Sequence, residues 1–107
     1  MGLRVLEAAS DDLEDVVRFY RAIPPPKVGR QLAARVITEF KQAMANVIPM
    51  PLSRPVHPDI PGVRYVPFPK LEYTAFYVVE GKDVVVVAVE HSASDYVEGV
   101  RRRVATP

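Results

Sequence analysis

Apolar residues recur along this chain in two rhythms, and the change from one to the other divides it. Leu13, Val16, Val17, Tyr20 and Ile23 return every three or four positions, the spacing of one helical face. Just ahead of them Asp11 and Glu14 have the separation of a capping box, which predicts a helix beginning near Ser10–Asp11. Pro24-Pro25-Pro26 ends it, because the residue before a proline is pushed out of the α region. Proline is tolerated in a first helical turn, so a second helix is expected from about Pro26. Its stripe is Leu32, Val36, Phe40, Met44 and Val47, supported by Ala33, Ile37 and Ala43. Two helices joined by so tight a corner should pack as an antiparallel hairpin.

Elsewhere the pattern is that of strands. Leu3 to Leu6 reads as a short first strand. From Pro49 to Pro69, which holds seven of the chain's eleven prolines, no helical period survives. An ordered, irregular connection is expected there, with a short strand over Gly62–Val66 that Pro67 ends or confines to a sheet edge. Tyr73–Val79 is aromatic and β-branched, and Val84–Val89 is almost pure valine, the composition of a strand buried on both faces. Glu80-Gly81-Lys82-Asp83 joins them as a two-residue hairpin turn with Gly81 in the first central place. In the tail, residues 92–107, Ser94 is a candidate N-cap and Gly99 would fray a short helix. The order is β-α-α-β-β-β: an α+β fold, with a helical hairpin packed on a small antiparallel sheet. One domain over residues 1–107 accommodates it.

Composition narrows this picture. With 107 residues, 49% hydrophobic and 25% charged, the chain can fold on one modest core without disulfides, and it contains no cysteine. Met1 to Leu6 has no long apolar run, so neither a signal nor a transit peptide is expected there. Val84–Val89 is far too short to span a bilayer. A cytoplasmic location with no membrane partner is the expectation. The net charge of +1 hides a local division: residues 1–23 carry three basic and five acidic side chains, whereas residues 24–50 carry Lys27, Arg30, Arg35 and Lys41 against Glu39 alone. At 100° per residue the four cations fall on the arc opposite the apolar stripe.

Little in the sequence suggests cofactor chemistry. His57 and His91 are the only histidines and share no motif, so no metal site is expected. His57-Pro58-Asp59 is a turn signal. Neither a Gly-rich phosphate loop nor Ser-His-Asp spacing appears, and no cofactor or small-molecule ligand is expected.

Several segments, in order, resemble the RelE/ParE toxin superfamily. Ala9-Ser10-Asp11-Asp12-Leu13, with Tyr20 beyond, resembles the Ala-x-x-Asp-Leu opening of that family's first helix. Gly62-Val63-Arg64 resembles its Gly-x-Arg segment at the second strand. Phe68-Pro69-Lys70-Leu71-Glu72-Tyr73-Thr74-Ala75-Phe76-Tyr77 is similar to its Phe-Pro-Tyr-x-Ile-x-Tyr strand, with an insertion after Pro69. Val87-Ala88-Val89-Glu90-His91 is similar to its closing strand. The resemblance covers roughly residues 5–96.

Ribonuclease members resembling RelE make a 2′-hydroxyl attack the neighbouring phosphate on the ribosome, which requires a base, an acid and cations. They place arginine on the third strand and basic or aromatic residues after the fourth. Here Thr74 stands near the first position and Ser92, Ala93 and Ser94 occupy the second. His91, Arg64 and Tyr96 are the remaining catalytic candidates. Two of them have a plainer reading, His91 as a hydrogen-bonded strand end and Arg64 as a partner of Asp59 or Glu72; Arg101–Arg103, which could touch nucleic acid, reads more simply as a disordered basic tail. The departure favours the ParE-like branch, whose members poison DNA gyrase and need no catalytic residues. Enzyme activity is therefore uncertain, leaning against. The resemblance also implies a cognate antitoxin, expected on the apolar face near the helical hairpin and the proline-rich connection. Lys27, Arg30, Lys41 and Arg64 are the partner-binding candidates, for gyrase or alternatively for ribosome and messenger RNA. An inactive interaction module of the same fold is the third reading.

Overall fold

A computed structural model describes residues 2–105. Strand β1 (Leu3–Val5) leads into α1 (Glu7–Arg21) and α2 (Pro26–Val47), and β2 (Arg64–Pro67), β3 (Tyr73–Glu80), β4 (Asp83–His91) and α3 (Val97–Ala105) follow. The sheet order is β1-β4-β3-β2. The last three strands form the antiparallel meander, and β1 joins in parallel beside β4, so the four-stranded sheet is mixed.

Helix α1 begins four residues earlier than its capping-box signal suggests. Leu6 is the N-cap, extended at φ −62° and ψ 150° and without a side-chain cap. Its N–H goes to the Val86 carbonyl as the last rung of β1, and its carbonyl accepts from Ser10 N–H. One residue thus ends the strand and starts the helix. Glu7-Ala8-Ala9 are good helix formers, and Glu7 places a negative charge at the positive helix end. Asp11 and Glu14 therefore lie inside α1 rather than at its start.

The triproline corner allows α2 to start at Pro26, as its sequence predicts. Gly29 is what lets the corner close. A Cβ there would lie 2.5 Å from the Arg21 carbonyl oxygen and 2.6 Å from that of Ile23. From α2, Ala43, Met44 and Val47 enter the main core with Ala9 and with Tyr77, Val84, Val86 and Val89 of the sheet. Two α2 residues depart from the expected division. Ile37 is exposed rather than buried, and Glu39 is buried. The Glu39 carboxylate accepts from the Lys70 N–H at 2.6 Å, tying α2 to the β2–β3 turn that holds the insertion after Pro69.

Val84–Val89 is buried on both faces as its composition predicts, each residue being no more than 2% exposed. A bulge shifts the alternation of side chains along it. Phe76 faces Ala88 while Tyr77 faces Val86, leaving Val87 without a partner. Val87 and Ala88, consecutive in sequence, both enter a second core on the far side of the sheet. Ile60, Val63, Phe76 and Val100 complete that core, so the proline-rich connection and α3 cover the face that the helical hairpin leaves open. The connection holds a 3-10 turn at Pro51–Ser53. It folds back along β2 through Tyr65 N–H to Pro55 O, His57 N–H to Val63 O, and a bridge between Val56 and Arg64. The outer edge of β2 is covered in this way. At the β3–β4 turn Gly81 has φ +60°, a conformation that a side chain would strain.

The basic tail is an ordered helix rather than a disordered segment, and Gly99 lies inside it without ending it. Ser94 does not cap it, since its hydroxyl donates to the His91 carbonyl. No helix among the described residues is long and apolar enough to cross a membrane.

Candidate functional site

The three catalytic candidates lie apart. Arg64 opens β2 opposite Tyr77, and His91 closes β4 opposite Tyr73. Four residues along β3 and two strand spacings put them roughly 16 Å apart. The Arg64 guanidinium donates to the backbone carbonyls of Leu52 and Arg54, clamping the proline-rich connection to β2. It does not pair with Asp59 or Glu72 as the sequence suggests. The Asp59 carbonyl takes Arg101, and the Glu72 carboxylate faces His91. His91 Nδ1 accepts from Ala93 N–H, its Nε2 lies 3.6 Å from Glu72, and its ring meets Tyr73 edge-on. That is the strand-end role its position suggests.

Tyr96 belongs to the second core. Its ring packs on Phe76, and its hydroxyl lies 2.9 Å from His57 Nε2. His57 is buried, and its Nδ1 accepts from the Asp59 N–H, so the ring proton sits on Nε2 and is donated to Tyr96. Burial, with smaller contributions from Tyr65 and Asp59, pushes the Tyr96 phenol up, so it stays protonated at neutral pH. Thr74, where the ribonucleases carry arginine, is buried and hydrogen-bonded to Ser92. Among the described residues no group of three or more His, Cys, Asp or Glu could hold a metal ion.

A groove on the helical hairpin is better formed. Between α1 and α2 an open cavity of about 490 Å³ has an apolar floor of Leu13, Val17 and Ile37, with Glu14, Arg18 and Arg21 on its rim. Arg30 and Lys41 lie seven residues before and four after Ile37, so all three share one stripe of α2. Lys27, Arg30, Arg35 and Lys41 are all exposed, and the one carboxylate of α2, Glu39, points inward. The groove is therefore flanked on its α2 side by positive charge without a compensating acid on the same helix.

One polar cluster has no counterpart in the sequence reading. Arg103 donates to both oxygens of Asp12, at 2.6 and 3.1 Å, and to the Val87 carbonyl at 3.0 Å. Asp12 also accepts from Val89 N–H. β1 pairs with β4 only as far as Val86, so this ion pair satisfies the backbone groups that β1 no longer reaches. The hydrogen bond that Arg103 donates to Asp12 raises the Arg103 pKa further, against the opposing effect of burial. Beside the pair, burial, with Asp12 adding to it and Arg103 opposing, raises Glu90 above the usual carboxylate range. Asp12 stands in the Ala-x-x-Asp-Leu-like motif, inside the first half of α1, and that motif was the one available signal. Nothing in the spacing of residues 12 and 103 reveals their contact.

This architecture, a helical hairpin and a meander with one parallel edge strand, is a known toxin fold. It matches the chromosomal ParDE toxin–antitoxin system from P. aeruginosa with a TM-score of 0.72 at 18% identity, covering 85% of this chain and 95% of that one. It matches the isolated RelE toxin from E. coli with a TM-score of 0.51, also at 18% identity, covering 94% of this chain and 96% of that one. The sequence model of the family described as ParE toxin of type II toxin-antitoxin system, parDE, matches residues 3–96, and the chain belongs to this family. No curated protein matches the chain.

Proposed function

We propose that this chain arrests growth by binding DNA gyrase and is neutralised by a cognate antitoxin. The match to the ParE toxin family across residues 3–96 carries the reading. The scattered positions of Arg64, His91 and Tyr96, each with a local partner, support a binding toxin over a ribonuclease. For the antitoxin, the α1–α2 groove supplies the recognition chemistry. An amphipathic helix would lay its apolar side chains on Leu13, Val17 and Ile37 and turn acidic side chains toward Arg30 and Lys41. The toxin would act in the cytoplasm, where gyrase and the antitoxin are found.

Controlled expression in a bacterium, with and without the adjacent small gene, tests the reading. Growth arrest with an induced DNA-damage response, reversed by the neighbouring gene and absent in a host with a resistant gyrase allele, is expected. Arrest with rapid loss of messenger RNA and no damage response would replace gyrase with the ribosome. Unaffected growth at confirmed expression would leave only an interaction module.

A further inference from the structure

Helix α3 covers the second face of the sheet with modest means. It has nine residues, too few for a helix to persist in water on its own, and Val100 is its one fully buried side chain. Gly99 lies in its interior, and beyond its own neighbours and helix backbone no atom lies within 4 Å of where a Cβ would stand, so no packing requirement explains it. Val104 in its last turn packs against the second core, and an open cavity of about 340 Å³ lined by Leu6, Val78, Val85, Val87 and Val104 lies beside it. Arg103 fastens this end, gripping both oxygens of Asp12 on α1 and the Val87 carbonyl at the β4 bulge, while Arg101 donates to the Asp59 carbonyl of the connection. The pair is largely shielded from solvent, with Arg103 28% and Asp12 15% exposed, so it is screened far less than a surface pair.

We propose that α3 is a releasable strap and that the Asp12–Arg103 fork is its latch. When the fork opens, α3 lifts as a unit, the Val87 carbonyl loses its donor, and the valine face beneath is uncovered. The helical hairpin and the β3–β4 ladder keep their own core and stay folded. Asp12 remains on the Val89 N–H in both states, so the hinge side of the latch is α1 and the moving side is α3. A strap of this kind belongs to the low-stability end of a fold, where local opening is separate from global unfolding. The inference is independent of the cellular target.

Hydrogen exchange on the purified full chain tests it. In the wild-type protein, α3 amides at residues 100–105 should exchange through an opening insensitive to low denaturant. Amides of β3 and β4 should exchange only through global unfolding. Arg103→Gln and Asp12→Asn should each speed exchange in α3 at least tenfold and leave the sheet unchanged, and the double variant should be no faster than the faster single one. Gly99→Ala should act in the opposite direction, slowing α3 about fivefold. If α3 and the sheet of the wild-type protein exchange together, or either latch variant leaves α3 protected, the strap does not exist.

Discussion

The two faces of the sheet are covered by different kinds of structure. On one, α1 and α2 lay continuous apolar stripes over Tyr77, Val84, Val86 and Val89, and a backbone-tight corner at Gly29 fixes their approach. On the other, a proline-rich connection and one short helix close over Phe76, Val87 and Ala88, fastened by directional polar contacts: His57 with Tyr96, Arg64 with two carbonyls, Arg103 with Asp12. Apolar burial, set by one tight backbone corner, carries the first face. The second depends on a few hydrogen bonds placed between elements far apart in the sequence. The first should therefore fail globally when damaged and the second locally.

The strongest test of that contrast is Gly29→Ala. The new Cβ meets two backbone carbonyls that cannot move aside, so the hairpin face should lose about 2 kcal/mol or more. A fall of roughly 10 °C in the melting midpoint is expected. An unchanged midpoint would mean the corner has slack.

Next comes the same substitution on both faces. Val47 on α2 and Val100 on α3 are 0% and 1% exposed, so Val→Ala removes equal apolar surface from each. Val47→Ala should cost about 2 kcal/mol of global stability. Val100→Ala should lower the midpoint by less than half as much, with the difference appearing as faster exchange in α3. Equal midpoint shifts would show the two faces to be one cooperative unit.

The smallest effect concerns Glu90. Its folded-state pKa is raised, chiefly by burial, so the native state favours the protonated form. Any such penalty is absent below the unfolded-state pKa and appears as pH rises from there through the raised folded value. Glu90→Gln should raise the midpoint by roughly 1–3 °C at pH 7 and have little effect below pH 4. A gain of the same size at both pH values would locate its cause elsewhere.

The same contrast explains what the sequence makes legible. Periodicity identifies α1 and α2, and an unbroken apolar run the valine strand, because apolar burial writes itself as local pattern. It also identifies the turn at Gly81, because left-handed backbone selects glycine. The start of α1 is misplaced because a capping signal at Asp11–Glu14 competes with a strand that runs directly into the helix at Leu6. The second face is foreshadowed only by the valine-rich composition of Val84–Val89, which requires cover on both sides but does not say from where. Asp12 with Arg103 and Glu39 with the Lys70 amide escape the sequence because long-range polar pairing leaves no periodic trace. For the candidate site, the cationic arc of α2 is legible. The groove beside it depends on Ile37 being left exposed, which the helical stripe does not predict.

Assaying purified gyrase with the purified chain tests the central claim most directly, by following supercoiling and cleaved DNA over a concentration series. A ParE-type toxin should inhibit supercoiling or accumulate cleaved DNA in proportion to its concentration, and addition of the antitoxin should abolish the effect. Undisturbed gyrase, together with cleavage of messenger RNA on ribosomes by the same preparation, would contradict it.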